Sequence, residues 1–249
     1  MGRAIMQSVR GRDDLRLASV WLHDERRSDA LNLAASVVAS TDIERVTAAA
    51  DVVIDFSLPK GTLRVSEAVA AAGKPLVCGV SGLSDAEFAS LGQAAATVAV
   101  VYDRNMSLGV AVLERIVCQA AASLGLEFAA KIHETHHVHK RDAPSGTALK
   151  LGEAVARSRG QDFDTVAWYA PTAGDRPLAD GDIKFEVERR GEVPGDHAVI
   201  FTSATERLTL GHSVTTRQVF ADGALRAASW AVSRPPGLYS MRDVLFADD

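Results

Sequence analysis

The chain has 249 residues, of which 47% are hydrophobic and 24% are charged, and its formal net charge is −5. This composition is typical of a globular protein with one large or two modest domains. The negative charge argues against a general binder of nucleic acid or of anionic membranes. Two cysteines are too few for a disulfide framework, so we expect the cytoplasm as compartment. No apolar run reaches the roughly 20 residues that a membrane helix needs.

Strand-like and helix-like segments alternate through the first hundred residues. Helices are predicted at 62–72, where Gly73 ends the helix, and at 85–95, where Ser84 and Glu87 form a capping box. Short apolar runs predict strands at 15–22, 51–56, 75–78 and 98–102. Because nearly continuous apolar strands alternate with helices, this half predicts an α/β fold with a doubly wound, Rossmann-like parallel sheet that is covered on both faces.

The pattern changes after a predicted helix at 108–123. Period-two alternation predicts strands at 183–189, 197–202 and 206–212. The remaining segments are predicted as a strand at 128–136, a helix at 147–158, a loop at 161–181, a last helix at 223–232 and a short tail at 241–246. The second half therefore predicts an α+β domain with a mixed or antiparallel sheet and helices on one side.

Four of the seven histidines lie within 133–139, and the segment His133–His137 matches the zinc-protease pattern H-E-x-x-H. That pattern binds zinc only on a helix, where its two histidines lie one turn apart. Here β-branched residues alternate with polar ones and favour a strand, in which His133 and His137 would be about 13 Å apart. We therefore predict no metal site, and we expect His133 and His139 to be surface residues.

The segment Pro144-Ser145-Gly146-Thr147 precedes an apolar periodic run and predicts a helix N-terminus with Ser145 as N-cap. The amides of Gly146 and Thr147 and the Thr147 hydroxyl would then attract a carboxylate or a phosphate. The alternative is an ordinary capped helix that binds no ligand. The histidines and Lys140 just upstream favour the anion site.

The run from Glu134 to Thr147 closely resembles the signature of the dihydrodipicolinate reductase family (4-hydroxy-tetrahydrodipicolinate reductases). The resemblance covers nearly the whole chain. Further segments match the family in order and approximate spacing, namely Val53–Pro59, Cys78–Gly82, Asn105–Val110, Gly195–His197 and Met241–Leu245.

This resemblance implies that NADPH or NADH delivers hydride to a cyclic imine dicarboxylate and forms tetrahydrodipicolinate for diaminopimelate and lysine biosynthesis. His136 is similar to the family's proton donor, and Lys140 to a second acid. His137, Gly146 and Thr147 resemble the residues that hold the substrate. An imidazolium and an ammonium can neutralise and protonate the charge that hydride addition builds.

The same resemblance implies cofactor contacts where two strands end, at the carboxyl edge of the doubly wound sheet. It also implies a dinucleotide-binding domain at 1–106 and 217–249, a substrate-binding and oligomerisation domain at 107–216, and a homotetramer. The residues at the cofactor edge are Gly79, Val80, Ser81, Asp103, Arg104, Asn105 and Met106.

The chain departs from the family at its start. The family opens with a strand and a Gly-rich loop that holds pyrophosphate, whereas Met1-Gly2-Arg3-Ala4 resembles only the end of that loop and the helix after it. We expect a longer natural chain that includes this first strand. The alternative is a shortened, non-catalytic relative that binds a dicarboxylate.

Two further functions stay open from the sequence: a nicotinamide oxidoreductase with another substrate, and a zinc hydrolase with chelator-sensitive activity. The choice of cofactor is open as well. Asp24 or Glu25 would suit the free 2′-hydroxyl of NADH, whereas Arg26 or Arg27 would suit the 2′-phosphate of NADPH.

Overall fold

The computed structural model describes residues 1–24, 31–169 and 179–246. The chain divides into two compact units. Unit 1 comprises Met1–Ser107 with Gln218–Asp249, and unit 2 comprises Leu108–Arg217.

The elements follow in chain order. Up to Ser107 they are α1 (Gly2–Val9), β1 (Ser19–Trp21), β2 (Val38–Ser40), α2 (Ile43–Ala48), β3 (Val53–Asp55), α3 (Pro59–Ala72), β4 (Leu76–Cys78), α4 (Asp85–Ala95) and β5 (Ala99–Tyr102). Unit 2 contains α5 (Leu108–Leu124), a 3-10 turn (Gly125–Glu127), β6 (Ala129–His136), α6 (Gly146–Ser158), α7 (Phe163–Val166), β7 (Ala167–Tyr169), β8 (Ile183–Arg189), β9 (Asp196–Thr202) and β10 (Arg207–Ser213). The chain then forms α8 (Gln218–Ala231), β11 (Gly237–Tyr239) and α9 (Met241–Phe246).

Unit 1 is an α/β structure whose strands are all parallel, as predicted. One sheet has the order β11-β5-β4-β3, and β1 pairs with β2 in a separate two-stranded sheet. No strand among the described residues pairs with both β1 and β3. The parallel pairing in both sheets agrees with the predicted Rossmann-like α/β fold.

Local signals fix the helix ends in unit 1. The predicted capping box is confirmed, since the Ser84 side chain accepts from the Glu87 amide and the Glu87 side chain accepts from the Ser84 amide. Gly73 ends α3 with a left-handed φ of 64°, a conformation that costs glycine little. The core between the helices and the sheet includes Val69, Leu76 and Leu91, all fully buried.

Unit 2 is built on a mixed sheet of order β10-β9-β6-β8-β7. β6 pairs in parallel with β8 and antiparallel with β9, so the predicted mixed sheet is confirmed. Side chains alternate between two faces along each strand. One face carries Ile132, Phe185 and Phe201, which pack with apolar residues of α5 and α6 in a single buried cluster.

One segment of unit 2, Leu108–Glu127, is long and apolar enough by composition to cross a membrane, with a mean hydropathy of 1.4. The sequence analysis did not identify it as such a run. Leu113, Val117 and Ala121 from this segment belong to the buried cluster under the sheet. The core helix of a globular protein can be equally long and apolar.

Several sequence predictions missed short elements. The predicted loop at 161–181 contains α7 and the edge strand β7, while 170–178 lies outside the described residues. β2, α2 and β11 were not predicted, and the tail at 241–246 is the helix α9. These elements have three to six residues, so neighbouring elements rather than local periodicity stabilise them.

Candidate active site

The histidine-rich segment starts on β6, the central strand of the unit 2 sheet. His133 lies on this strand with its side chain 39% exposed, 3.7 Å from Glu186 and 3.9 Å from Glu188. His139, in the turn after the strand, is 74% exposed. The H-E-x-x-H segment is therefore not helical, and the predicted strand and surface positions are confirmed.

His136 is the last residue of β6 and lies on the helix-covered face of the sheet, two residues after Glu134. Such a spacing puts both side chains on one face of a strand. Nδ1 of His136 is 3.3 Å from Oε2 of Glu134, and the two side chains are 9% and 1% exposed. The imidazole therefore borders a buried carboxylate, a pairing that the sequence analysis did not predict.

Glu134 is ionised in this site. Burial alone would raise its pKa, but hydrogen bonding to His136 and Ser145 outweighs burial and lowers the pKa to about 2. Oε1 accepts from the Ser145 amide over 3.0 Å and from Nη2 of Arg189 over 3.3 Å. A buried carboxylate needs partners of this kind to stay charged.

His197, on β9, completes this buried group. Its Nε2 lies 3.8 Å from Oε2 of Glu134 and 3.2 Å from Oγ of Ser145. Its ring meets the His136 ring edge to face, with the centroids 5.0 Å apart. Burial, together with the nearby His136, lowers the pKa of His197 to about 3, so this imidazole is neutral at neutral pH.

Ser145 is the N-cap of α6, as predicted, and accepts from the Ala148 amide over 3.2 Å. Gly146 and Thr147 begin the helix, so their amides belong to the first turn, which faces away from the helix body. Because the Ser145 amide donates to Glu134, the helix start lies beside the carboxylate that contacts His136. The structure thus brings His136 and the first turn of α6 into one region of unit 2.

Lys140 lies in the turn after β6, where its amide donates to the His137 carbonyl over 3.1 Å. The strand ends at His136 and the chain curls, as the proposed roles of both residues require. Nζ of Lys140 is 2.8 Å from Asp142, and its charge contributes to the lowered pKa of His197. Lys140 therefore lies near the buried group.

His137 points to another partner. Nη2 of Arg217 lies 2.9 Å from Nε2 of His137. A guanidinium can only donate, so Nε2 of His137 must accept in this contact. Partial burial and the Arg217 charge lower the pKa of His137. The sequence analysis did not identify Arg217 as a neighbour of this segment.

The residues proposed for the cofactor lie in unit 1, where β4 and β5 end side by side. Cys78 and Tyr102 are register partners at these ends, so the two following segments share the carboxyl edge of the sheet. The first segment is Gly79, Val80 and Ser81, and the second is Asp103, Arg104, Asn105 and Met106.

Within these segments the side chains differ in their exposure and in their hydrogen bonds, and therefore in whether they could contact a ligand. Val80 and Met106 are buried, so only their backbones are available to a ligand. The Asp103 side chain accepts from the amides of Asn105 and Met241, which makes Asp103 a structural anchor of the loop. Ser81 and Arg104 are exposed, and Asn105 is half-buried with its side chain accepting from the Ser107 amide.

A tightly packed glycine, Gly79, lies at this edge. A Cβ at Gly79 would be 2.4 Å from the Phe56 ring, so the backbone passes close to that ring only because residue 79 is glycine.

Of the residues considered for the ribose of the cofactor, Asp24 is described, whereas Glu25, Arg26 and Arg27 lie outside the described residues.

Glu134, His136 and His197 also satisfy a simple spacing test for a metal site, because one ligand atom from each lies within 4.8 Å of the others. Arg189 already contacts the same carboxylate, and its positive charge opposes a second cation there. The arrangement is better suited to acid–base chemistry, in which a carboxylate holds one nitrogen of an imidazole.

Three members of the buried group were not predicted as site residues from the sequence, namely Glu134, Arg189 and His197. The i, i+2 spacing of Glu134 and His136 was a usable signal once a strand was predicted. Arg189 and His197 come from β8 and β9, and for these two residues the sequence offered only the family resemblance of Gly195–His197.

Known protein families and relatives match nearly the whole chain. A family model described as dihydrodipicolinate reductase, C-terminus, matches residues 109–245, and the corresponding N-terminus model matches residues 1–106. A 4-hydroxy-tetrahydrodipicolinate reductase of Halorhodospira halophila is 46% identical over 204 residues, covering 82% of this chain and 76% of the relative. The enzyme of the same name from Caulobacter vibrioides is 44% identical over 247 residues, covering 98% and 93%.

Solved structures agree on the fold. A dihydrodipicolinate reductase from Paenisporosarcina sp. TG-14, described as dipicolinate-bound, aligns with a TM-score of 0.76 and 21% identity, covering 98% of this chain and 95% of that one. A C. glutamicum DAP dehydrogenase in complex with DAP aligns with a TM-score of 0.53 and 13% identity, covering 97% and 90%. At these identities the similarity speaks for the fold alone.

Proposed function

This chain belongs to the dihydrodipicolinate reductase family, and we propose that it reduces 4-hydroxy-tetrahydrodipicolinate to tetrahydrodipicolinate with NADH or NADPH, in diaminopimelate and lysine biosynthesis. The observation that carries the proposal is the buried group in unit 2, where a histidine paired with a carboxylate lies beside a helix N-terminus and a lysine. That combination suits a dianionic substrate that must be protonated.

The proposed residues divide into those that bind and those that protonate. His137, Gly146 and Thr147 would bind the substrate carboxylates, with the amides of the first turn of α6 offering hydrogen bonds and a favourable dipole. His136 would donate the proton, and Lys140 would neutralise developing negative charge. The overall change adds one hydride and one proton and releases the 4-hydroxyl group as water.

Unit 1 would hold the cofactor at the ends of β4 and β5. The backbone of Gly79, Val80 and Ser81 would contact the cofactor there, since residue 79 has no side chain and the Phe56 ring packs where one would stand. Asp103, Arg104, Asn105 and Met106 form the neighbouring part of the edge. NADH or NADPH supplies the hydride when it is bound.

We further propose a homotetramer in the cytoplasm. The sheet face opposite α5 and α6 carries half-exposed charged side chains, among them Lys131 and Glu186, which are 3.0 Å apart. Side chains of opposite charge on this face would pair with those on the same face of another copy across a two-fold axis. Both cysteines are free thiols, as expected in a reducing compartment. Light scattering tests the assembly: a monomer at working concentrations would contradict it.

Turnover tests the proposed reaction. The purified chain is mixed with enzymatically generated 4-hydroxy-tetrahydrodipicolinate, and the oxidation of NADH and of NADPH is followed separately. We expect substrate-dependent oxidation and inhibition by dipicolinate, with weaker inhibition by pyridine-2-carboxylate, which has one carboxylate fewer. Tight dipicolinate binding without turnover would favour the non-catalytic alternative. A second assay of a chain extended upstream then asks whether cofactor binding depends on the Gly-rich loop.

A further inference from the structure

We propose that Glu134 is a positioning residue for this reduction: it holds the His136 imidazole by Nδ1 and, through Arg189, it anchors the turn that carries Lys140. The inference rests on the proposed function and adds to it the means by which the two proposed acids are kept in place. Glu134 itself would touch neither substrate nor cofactor.

The first support is the contact between Glu134 and His136. Nδ1 and Oε2 are 3.3 Å apart, both atoms are buried, and neither forms a well-aligned hydrogen bond with any described residue. A buried N–H and a buried carboxylate oxygen that lack such a bond favour each other strongly. Catalytic hydrogen bonds are often long in the free enzyme and shorten when substrate binds.

The second support is the position of the other imidazole nitrogen. A Cβ at Gly195 would lie 3.0 Å from Nε2 of His136, so a side chain at residue 195 would crowd that nitrogen, which glycine avoids. With Nδ1–H held by Glu134, Nε2 is the nitrogen that is left to exchange a proton. A carboxylate that fixes the tautomer and orientation of a histidine is a recurrent arrangement in enzymes.

The third support is the charge balance around the carboxylate. The charged or titratable groups that face Glu134 are His136 on its own strand, Arg189 on β8 and His197 on β9. His212 and Lys140 act on His197. His197 is neutral, with a pKa of about 3, so it does not compete with His136 as a positive partner of the carboxylate.

Arg189 connects the carboxylate to the other proposed acid. Its Nη2 contacts Oε1 of Glu134 over 3.3 Å and donates to the Asp142 carbonyl over 2.6 Å, while its Nε donates to the Lys140 carbonyl over 3.3 Å. The guanidinium therefore fixes both ends of the turn 140–142 against Glu134. Loss of the carboxylate would loosen His136 and this turn together.

The test variant is Glu134→Gln, which keeps the size of the side chain and removes its charge. We expect kcat to fall about 10- to 100-fold, the size of effect seen when a partner that orients a functional histidine is removed. KM for the substrate should change much less than kcat, because Glu134 would touch neither substrate nor cofactor.

A matched control is Glu114→Gln on α5. Glu114 is also a buried carboxylate of unit 2, 2.8 Å from Lys150 and 3.7 Å from Arg157, but it is no part of the buried group. Its removal should lower stability and leave kcat within about twofold of wild type. An equal loss of kcat in both variants would overturn the proposal, since it would trace the effect to stability.

A double-mutant cycle separates a positioning role from an independent one. In the His136→Ala background, Glu134→Gln should cause a much smaller further loss of kcat than it causes in wild type, since of the two groups on which it acts only the turn that carries Lys140 remains. Additive losses, or a folded Glu134→Gln protein with wild-type kcat, would refute the proposal. If wild type itself fails to oxidise NADH or NADPH with this substrate, the proposed function fails instead.

A measurement on the wild-type protein covers the case in which Glu134→Gln does not fold. Nitrogen NMR of isotope-labelled histidine distinguishes the two neutral tautomers of each imidazole. We expect neutral His136 to carry its proton on Nδ1. A neutral His136 with its proton on Nε2 would refute the proposal, because Nδ1 would then have no hydrogen to donate to Glu134.

Discussion

Gly223 gives a test of the unit 1 packing that supports the proposed cofactor edge. This residue is buried within α8, and a Cβ there would lie 1.8 Å from the Met106 carbonyl oxygen and 2.9 Å from the Met106 carbonyl carbon. Both atoms belong to the backbone, so rotation of a side chain cannot relieve the overlap. In Gly223→Ala the helix and the segment ending at Met106 would have to move apart by more than about 1 Å to reach ordinary van der Waals contact.

Two terms decide the stability of this variant. Replacing a helix-interior glycine by alanine stabilises by up to about 1 kcal/mol. Forcing an extra methyl group into a packed interior costs about 1–3 kcal/mol, and more where the backbone must shift. We therefore expect a net loss of about 2 kcal/mol, which corresponds to a Tm about 4–8 °C lower for a protein of this size.

The control is Gly92→Ala in α4, an exposed helical position where a Cβ would have no neighbour within 4 Å. Only the helix propensity applies there, so this variant should gain about 0.5–1 kcal/mol. Scanning calorimetry of both variants gives the comparison. If Gly223→Ala is as stable as Gly92→Ala, the close approach of α8 to Met106 does not exist and the packing argument is wrong.

Since Met106 ends the proposed cofactor edge, Gly223→Ala should also raise KM for NADH or NADPH.

Three further predictions concern unit 2. His136→Ala should lower kcat about 100-fold or more, the usual contribution of a positioned acid, while the Kd of dipicolinate measured by calorimetry changes little; an unchanged kcat would remove His136 from the mechanism. Thr147→Ala should raise KM for the dicarboxylate about fivefold, as expected for one lost hydrogen bond, and leave kcat nearly unchanged. The pKa of Glu134 falls from an ordinary 4.5 to about 2, so its ionised form stabilises the fold above pH 4.5 and this contribution is lost as the pH falls towards 2. Denaturant titrations should therefore give wild type a free energy of unfolding about 1–3 kcal/mol higher than that of Glu134→Gln near neutral pH, allowing for solvent screening. This difference in stability should narrow in acid. A difference that stays constant with pH would contradict the lowered pKa of Glu134.

The strongest sequence signals were local, and the structure confirms them. β6 was predicted from alternating β-branched and polar residues, which led to the rejection of a helical zinc motif in the same segment. Ser145 was predicted as N-cap because a short polar side chain before an apolar periodic run satisfies first-turn amides. The parallel sheet of unit 1 followed from apolar strands alternating with helices. Signals of this kind depend on residues within a few positions of one another.

The elements that the sequence did not predict are short and depend on their neighbours. β7 lies in a segment whose Asp, Pro and Gly content suggested a loop, yet Ala167, Trp168 and Tyr169 pair with the edge of β8. β11 forms by pairing with β5, which lies more than a hundred residues earlier in the chain. A three-residue strand has no periodicity of its own, so only the partner strand defines it.

The sequence by itself determined the family, and it predicted the strand and the helix that lie at the two ends of the segment from Glu134 to Thr147. Only the tertiary structure decided what surrounds His136. Sheet pairing places Arg189 beside His136 in register and sets His197 opposite Glu134, across 53 and 63 positions of chain respectively. Burial in that sheet removes water from the carboxylate and leaves the imidazole, the guanidinium and a helix amide as its partners. The charge on Glu134 and the orientation of His136 are therefore properties of the sheet, because strand register and the exclusion of solvent come from contacts between distant segments.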